Sequence, residues 1–287
     1  MTGLRVLGVR ADPPEIRPLQ STPIEILAHH TENEELGYLW IACDPVFDVE
    51  PGSQPNSACQ DEASLSSSSG LEGLFSTGAA RPLSFDLTAT SATYLPPTDE
   101  QGTPLDLFAD LPADDPRREV GASITLVIVV APLEDLTAML ADPEGASLER
   151  ERTEIVLKRI IVSESDTPNT SPAILSLLVG PAAYLPGEAI PFDAAPLIFE
   201  PQLSAPEDFE WHLPDGSVSQ ETEQPIVSWY STAGRFGSSR SLQEEENTWT
   251  PPRTGDVPGP SPTGEYPLWV VVRDGRGGQA WAEFLLR

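Results

Sequence analysis

The side chains best placed to do chemistry lie in a run near the chain's end. Trp269-Val270-Val271-Val272 and the run from Ala280 to Leu286 are joined by Arg273-Asp274-Gly275-Arg276-Gly277-Gly278. Asp-Gly between two β-prone runs predicts a hairpin. Tyr266, Leu268, Val270 and Val272 alternate on one face, and Ala280, Ala282, Phe284 and Leu286 alternate against Gln279, Trp281 and Glu283. The polar members mark the outward face, which sends Trp269 and Trp281 outward. The two rings could lie nearly opposite one another only if the turn holds an odd number of residues, while a two- or four-residue loop would put Trp269 over Ala280 or Ala282. With Trp229 and Tyr230 they would build an aromatic platform for a sugar ring or a partner protein. The rival expectation is a shelf covered by the neighbouring domain or a long loop, because Val127 and Val129 place apolar residues on the matching outer face of an earlier strand.

Cys43 and Cys59 are the only cysteines of the protein and flank a turn-rich loop. With no nearby histidine to complete a metal or catalytic site, they predict a disulfide, worth roughly 3 kcal/mol in the chain-entropy model. Two buried free thiols are the alternative. Asp44, Asp48 and Glu50 alternate inside this loop, and oxygen-rich loops suit calcium, although no EF-hand spacing is present. Zinc is disfavoured, since His29, His30 and His212 have no spaced partner. No Gly-x-Ser-x-Gly elbow, phosphate loop or dinucleotide fingerprint occurs, so the expectation is a protein that is not an enzyme.

Charge narrows the partners. The 287 residues carry 45 acids against 16 bases, a formal net charge of −29. Such a protein repels duplex nucleic acid and anionic lipid surfaces, which bind by neutralising phosphates. Lys158 is the only lysine. The longest apolar run, Ile124 to Leu133, is too short to cross a bilayer. No apolar segment of signal-peptide type follows Met1.

The elements that must position these residues are strands. With 31 Pro and 21 Gly the sequence is rich in turns and poor in long helices. Strands are predicted at Leu4 to Val9, Ile24 to Ala28, Tyr38 to Ala42, Leu83 to Ala89, Ile124 to Val130 and Ile155 to Val162. Pro132 to Leu140 reads as one short helix, with Leu133, Leu136 and Leu140 on one face. Residues 98–118 read as an acidic surface loop. A second series follows: Ile174 to Val179, Phe209 to Trp211, Ile226 to Tyr230, Thr248-Trp249 and the terminal hairpin.

The two series read as a repeat. Phe75-Ser76-Thr77 answers Tyr230-Ser231-Thr232, and Pro96-Pro97 answers Pro251-Pro252, both at an offset of 155 residues. Trp40 is matched with Trp211, both as core residues of a third strand. About seven short strands per unit, with a third-strand Trp, predict an all-β fold of two tandem immunoglobulin-like β-sandwiches, the helix lying in the first. The boundaries are 1–163 and 170–287, with 164–169 as linker. Cys43 follows the third-strand Trp, so the inter-sheet disulfide of antibody domains is absent.

Leu4-Arg5-Val6-Leu7 with Asp12-Pro13-Pro14-Glu15, Trp229-Tyr230-Ser231-Thr232 and the Trp269 to Gly278 run resemble predicted surface lipoproteins of myxobacteria-type bacteria. That resemblance implies immunoglobulin-like repeats outside the cytoplasm, in the periplasm, on the outer-membrane surface or secreted, and a lipid anchor attached before Met1. The expected role is a non-catalytic structural or protein-binding module of the cell envelope. A carbohydrate-binding protein that uses its outward aromatics on a cell-surface polysaccharide is the alternative, and a hydrolase with an unrecognised site the second.

Overall fold

The computed structural model describes residues 3–32, 34–47, 80–142, 148–212, 217–252 and 265–287. The protein forms two compact units, Thr2–Thr170 with Glu210–Ser219, and Ser171–Phe209 with Gln220–Arg287.

In the first unit β1 (Leu4–Ala11), β3 (Thr22–His30) and β6 (Ser91–Tyr94) form one sheet in the order β1-β3-β6. The second sheet runs β2 (Glu15–Ile16), β8 (Glu154–Val162), β7 (Ala122–Pro132), β4 (Leu36–Cys43), β5 (Ala80–Pro82). Here β2 lies parallel to β8 while the other pairs are antiparallel. The leading segment thus contributes to both sheets.

The second unit repeats this plan. One sheet runs β10 (Ala182–Tyr184), β9 (Ile174–Val179), β12 (Leu197–Leu203), β18 (Asn247–Thr250), β16 (Arg235–Phe236). The other runs β11 (Ala189–Ile190), β20 (Gln279–Leu286), β19 (Tyr266–Arg273), β15 (Ile226–Ser231), β17 (Arg240–Leu242), with β11 parallel to β20. A separate two-stranded hairpin, β13 (Asp208–His212) and β14 (Val218–Thr222), is inserted between β12 and β15. A leading strand that switches sheets, and a second sheet whose middle follows the order last, penultimate, third, make both units immunoglobulin-like β-sandwiches. The fold class read from the sequence is the one observed.

Each sandwich has its own core. In the first, alternate residues of β7 (Ile124, Leu126, Ile128, Val130) meet Trp40, Ile24 and Tyr94. In the second, Leu268, Val270 and Val272 meet Trp229, Trp249 and Phe199. The first unit adds a second apolar layer, because β7 is buried on both faces. Val127, Val129 and Ala131 on its outer face join Leu136 and Met139 of α2 (Leu133–Ala141). Gly37 makes this possible: a Cβ there would come within 2.8 Å of a Leu136 methyl and 3.2 Å of the Leu133 Cα.

Several expectations are corrected. The buried face of α2 is Leu136 and Met139, while Leu140 is exposed. A single helical turn, α1 (Arg117–Val120), lies in the acidic segment. That segment is anchored by buried Phe108, whose N–H donates to Asp106, and by Arg118, which donates to the carbonyls of Phe108, Leu111 and Pro112. Leu83 to Ala89 is not a regular strand. Ser84 Oγ accepts from the Asp86 N–H at 3.1 Å, and Asp86 accepts from the Thr88 N–H and hydroxyl at 2.9 and 2.7 Å. These local bonds offer the backbone an alternative to the ladder.

The repeat also pairs differently. Trp229, not Trp211, is the counterpart of Trp40: each is buried on the strand that pairs with the penultimate strand, Trp40 opposite Ile128 and Trp229 opposite Val270. Trp211 sits half-buried on inserted β13 rather than in the core. The 155-residue offset holds for Tyr94 and Trp249, which occupy equivalent strands β6 and β18. It fails for Tyr230, whose counterpart on that third strand is Ile41; Phe75 lies outside the described residues.

Candidate functional site

The hairpin register decides the fate of the aromatic shelf. Arg273 pairs with Gln279, leaving a five-residue turn from Asp274 to Gly278. The Asp274 carboxylate fills that turn, accepting from the N–H groups of Arg276, Gly277 and Gly278 at 2.7, 2.9 and 2.9 Å. The count is odd, yet Trp269 and Trp281 lie on a diagonal of one face rather than opposite one another: Trp269 lies opposite Glu283 and Trp281 opposite Val271. On the other side Trp269 pairs directly with Tyr230. Tyr230, Trp269 and Trp281 are therefore brought onto the outer face of one sheet.

Trp229 is not part of that face. It points into the core at 3% exposure, stacks at 6.1 Å on Phe199, and donates its indole N–H to Ser241 Oγ at 2.9 Å. Strand alternation makes this unavoidable, since neighbours 229 and 230 must face opposite ways. Trp269 is on the outer face yet only 5% exposed, so it offers no open ring surface for stacking. Tyr230 and Trp281 are half-buried. The open platform expected from four aromatics is not formed.

The remaining expectations fall at the end of β4. Cys43 is buried and Asp44 exposed, while Cys59, Asp48 and Glu50 lie outside the described residues. Among the described residues no group of three His, Cys, Asp or Glu side chains is placed to hold a metal.

At the same place the structure shows a feature that sequence patterning missed. A cleft of about 270 Å³ is lined by Cys43, Asp44, Pro45, Ala80, Arg81, Tyr94, Pro97 and Thr98. Edge strand β5 presents Arg81, half-buried, with its guanidinium carbon 5.4 Å from the centre of the Tyr94 ring. Arg81 donates to the carbonyl oxygens of Pro96, at 3.1 Å, and of Leu95. Tyr94 is buried, and burial raises its hydroxyl pKa above the usual value, with Arg81 opposing the shift. Each feature has a sequence signal, an Arg between Ala80 and Pro82 and a Tyr before Leu95-Pro96-Pro97, but nothing in period or spacing says they meet.

Phe85 stands four residues beyond Arg81 and is 89% exposed. Its turn is rigid. Besides the Ser84 and Asp86 bonds, the Leu83 N–H donates to Trp40 O at 2.9 Å and the Tyr38 N–H to Leu87 O at 2.7 Å, tying both ends of the turn to β4.

No family model and no curated protein matches this sequence. Among solved structures it is similar to the two tandem V-type regions of VCBP3, a v-region-containing chitin binding protein, at 9% identity over 99% of this chain and 100% of that one, with a TM-score of 0.27. It is also similar to the N-terminal eight Ig domains of Down Syndrome Cell Adhesion Molecule isoform 1.30.30, at 10% identity over 100% and 45% of the two chains, with a TM-score of 0.19. At these scores the likenesses carry no weight, and the fold assignment rests on strand order. No helix among the described residues is long and apolar enough to cross a membrane.

Proposed function

We propose that this protein is a non-catalytic protein-binding module, and that it engages its partner through the first sandwich at residues 80–98. The observation that carries this is Phe85. A phenylalanine exposed to 89% forgoes the burial worth about 2 kcal/mol that the side chain would gain in a core. Its turn is held by five backbone and side-chain bonds, so little entropy is lost when a partner closes over the ring. Rigid exposed aromatics are the usual anchors of protein interfaces. The carbohydrate alternative is less favoured, because Trp269 is covered and Trp229 lies in the core. An extracytoplasmic home accompanies this reading; it draws on the lipoprotein resemblance and on the proposed Cys43 to Cys59 bridge, which oxidising compartments favour.

The test is photo-crosslinking in the source cells, with benzoylphenylalanine at position 85 and, as control, at exposed Leu175. A discrete adduct at 85 alone, competed by unlabelled wild type and not by Phe85→Ser, is expected. Equal labelling at the two positions would overturn the proposal.

A further inference from the structure

The cleft beside Phe85 has a chemistry of its own. A guanidinium has five N–H donors, and Arg81 uses its bonds to Leu95 and Pro96 to fix its plane over Tyr94. Donors remain. Among the described residues no carboxylate forms an ion pair with Arg81. Elsewhere in this acidic protein arginines are paired: Arg5 with Glu154, Arg10 with Glu25, Arg118 with Glu164 and Arg276 with Glu223. A pre-oriented guanidinium with donors to spare, in a concave site walled by Ala80, Pro45 and Pro97, matches a planar carboxylate on a short apolar stem.

Resting on the protein-binding reading above, we propose that this cleft captures one carboxylate of a partner polypeptide through Arg81, with Thr98 lining the same site. At about 270 Å³ the cleft lies just under the range of sites for drug-sized ligands, the size of a single residue rather than of a cofactor. The carboxylate is supplied either by an acidic side chain or by the C-terminus of the partner polypeptide. A uronic-acid saccharide is disfavoured, since Tyr94, the one ring among the described residues lining the cleft, is buried beneath Arg81 and presents no open face to a sugar. Among the described residues Asp44 is the acid that lines the cleft; it is exposed, and its negative charge opposes an incoming carboxylate.

Titration of the full-length protein, followed by NMR or calorimetry, tests this with four defined probes. They are Ac-Gly-Glu-Gly-amide, its Gln analogue, Ac-Gly-Gly-Ala with a free C-terminus, and galacturonate. Binding of one acidic peptide at least tenfold tighter than the Gln analogue is expected, and which peptide wins identifies the source. Arg81→Gln should abolish the preference and Arg81→Lys should weaken it about tenfold, the single charge being kept and the fork lost. Should loss of the Leu95 and Pro96 bonds unfold the Arg81 variants, Asp44→Asn, at an exposed position, serves instead and should tighten acid binding several-fold. Equal affinity for acid and amide, an unchanged Asp44→Asn variant, or preference for galacturonate would overturn the proposal. A Phe85 adduct in cells alongside any of these results would leave the protein-binding reading standing and remove only this inference.

Discussion

Arg276 on the β19–β20 turn lies 3.2 Å from Glu223, whose side chain is 4% exposed. The same guanidinium nitrogen lies 3.3 Å from Glu207. Glu207 precedes β13 and Glu223 follows β14, and the two are joined by the Glu223 N–H to Glu207 O bond at 3.0 Å and the Glu207 N–H to Glu223 Oε2 bond at 3.1 Å. Arg276 also covers the Phe209 ring at 4.4 Å. One arginine thus fastens the base of the inserted hairpin. The first unit has a parallel device: Arg152, just before β8, is 3.1 Å from Glu34, just before β4.

The two clasps should differ in worth. Arg276→Ala leaves buried Glu223 without its cation and should cost about 3 to 5 kcal/mol. Arg152→Ala breaks solvent-screened pairs with Glu34, Glu134 and Asp135 and should cost far less. Urea unfolding of both variants measures the contrast; equal losses would show that burial of Glu223 is not what matters.

Glu223 also predicts a pH dependence. Burial, aided by Asp274 and Glu207, raises its pKa above the usual carboxylate value, against the Glu207 N–H bond and Arg276. In the window between the unfolded and the raised folded value, the native state binds more protons than the unfolded state. This group's contribution therefore falls as pH rises through that window and is most favourable below it. Stability curves of wild type and Glu223→Gln from pH 4 to 7 should converge at the acid end and separate above it, with the wild type losing ground. Parallel curves would refute the assignment.

Trp269 should behave as a packed residue rather than a ligand contact. Trp269→Ala is expected to destabilise by about 3 to 5 kcal/mol. Glycan-array binding that disappears in a folded Trp269→Ala variant with unchanged melting would instead restore the carbohydrate reading.

Gly37 is where α2 rests on β4. Gly37→Val forces a side chain against Leu133 and Leu136 and should cost about 1 to 3 kcal/mol, with loss of protection from hydrogen exchange in α2. Gly37→Val with wild-type exchange in α2 would show that the helix tolerates a gap.

The proposed bridge between Cys43 and Cys59 predicts that intact mass rises by two hydrogens on reduction, and that Cys59→Ser costs roughly 3 kcal/mol under oxidising conditions. Two alkylatable thiols in material from the native compartment would remove both the bridge and its support for an extracytoplasmic home.

The strands were legible because their signal is local. Leu4 to Val9, Ile124 to Val130 and the Asp274-Gly275 hairpin follow from period-2 alternation and turn chemistry, and Pro132 with acids behind it announces α2. Together they determine two β-sandwiches and one packed helix. Period 2 sorts residues into two faces, and it placed Trp269 and Trp281 on the outer one; whether an outer face is open depends on what covers it, which is not a local property. For the same reason the sequence assigned Trp211 to the third strand and Trp229 to the outward aromatics, and only the sheet partners of β15 reveal Trp229 as the counterpart of Trp40. The Arg81 cleft is assembled from segments near residues 43, 81 and 95 that share no spacing rule. Only tertiary structure brings them together, because strand pairing, not sequence distance, decides which side chains meet.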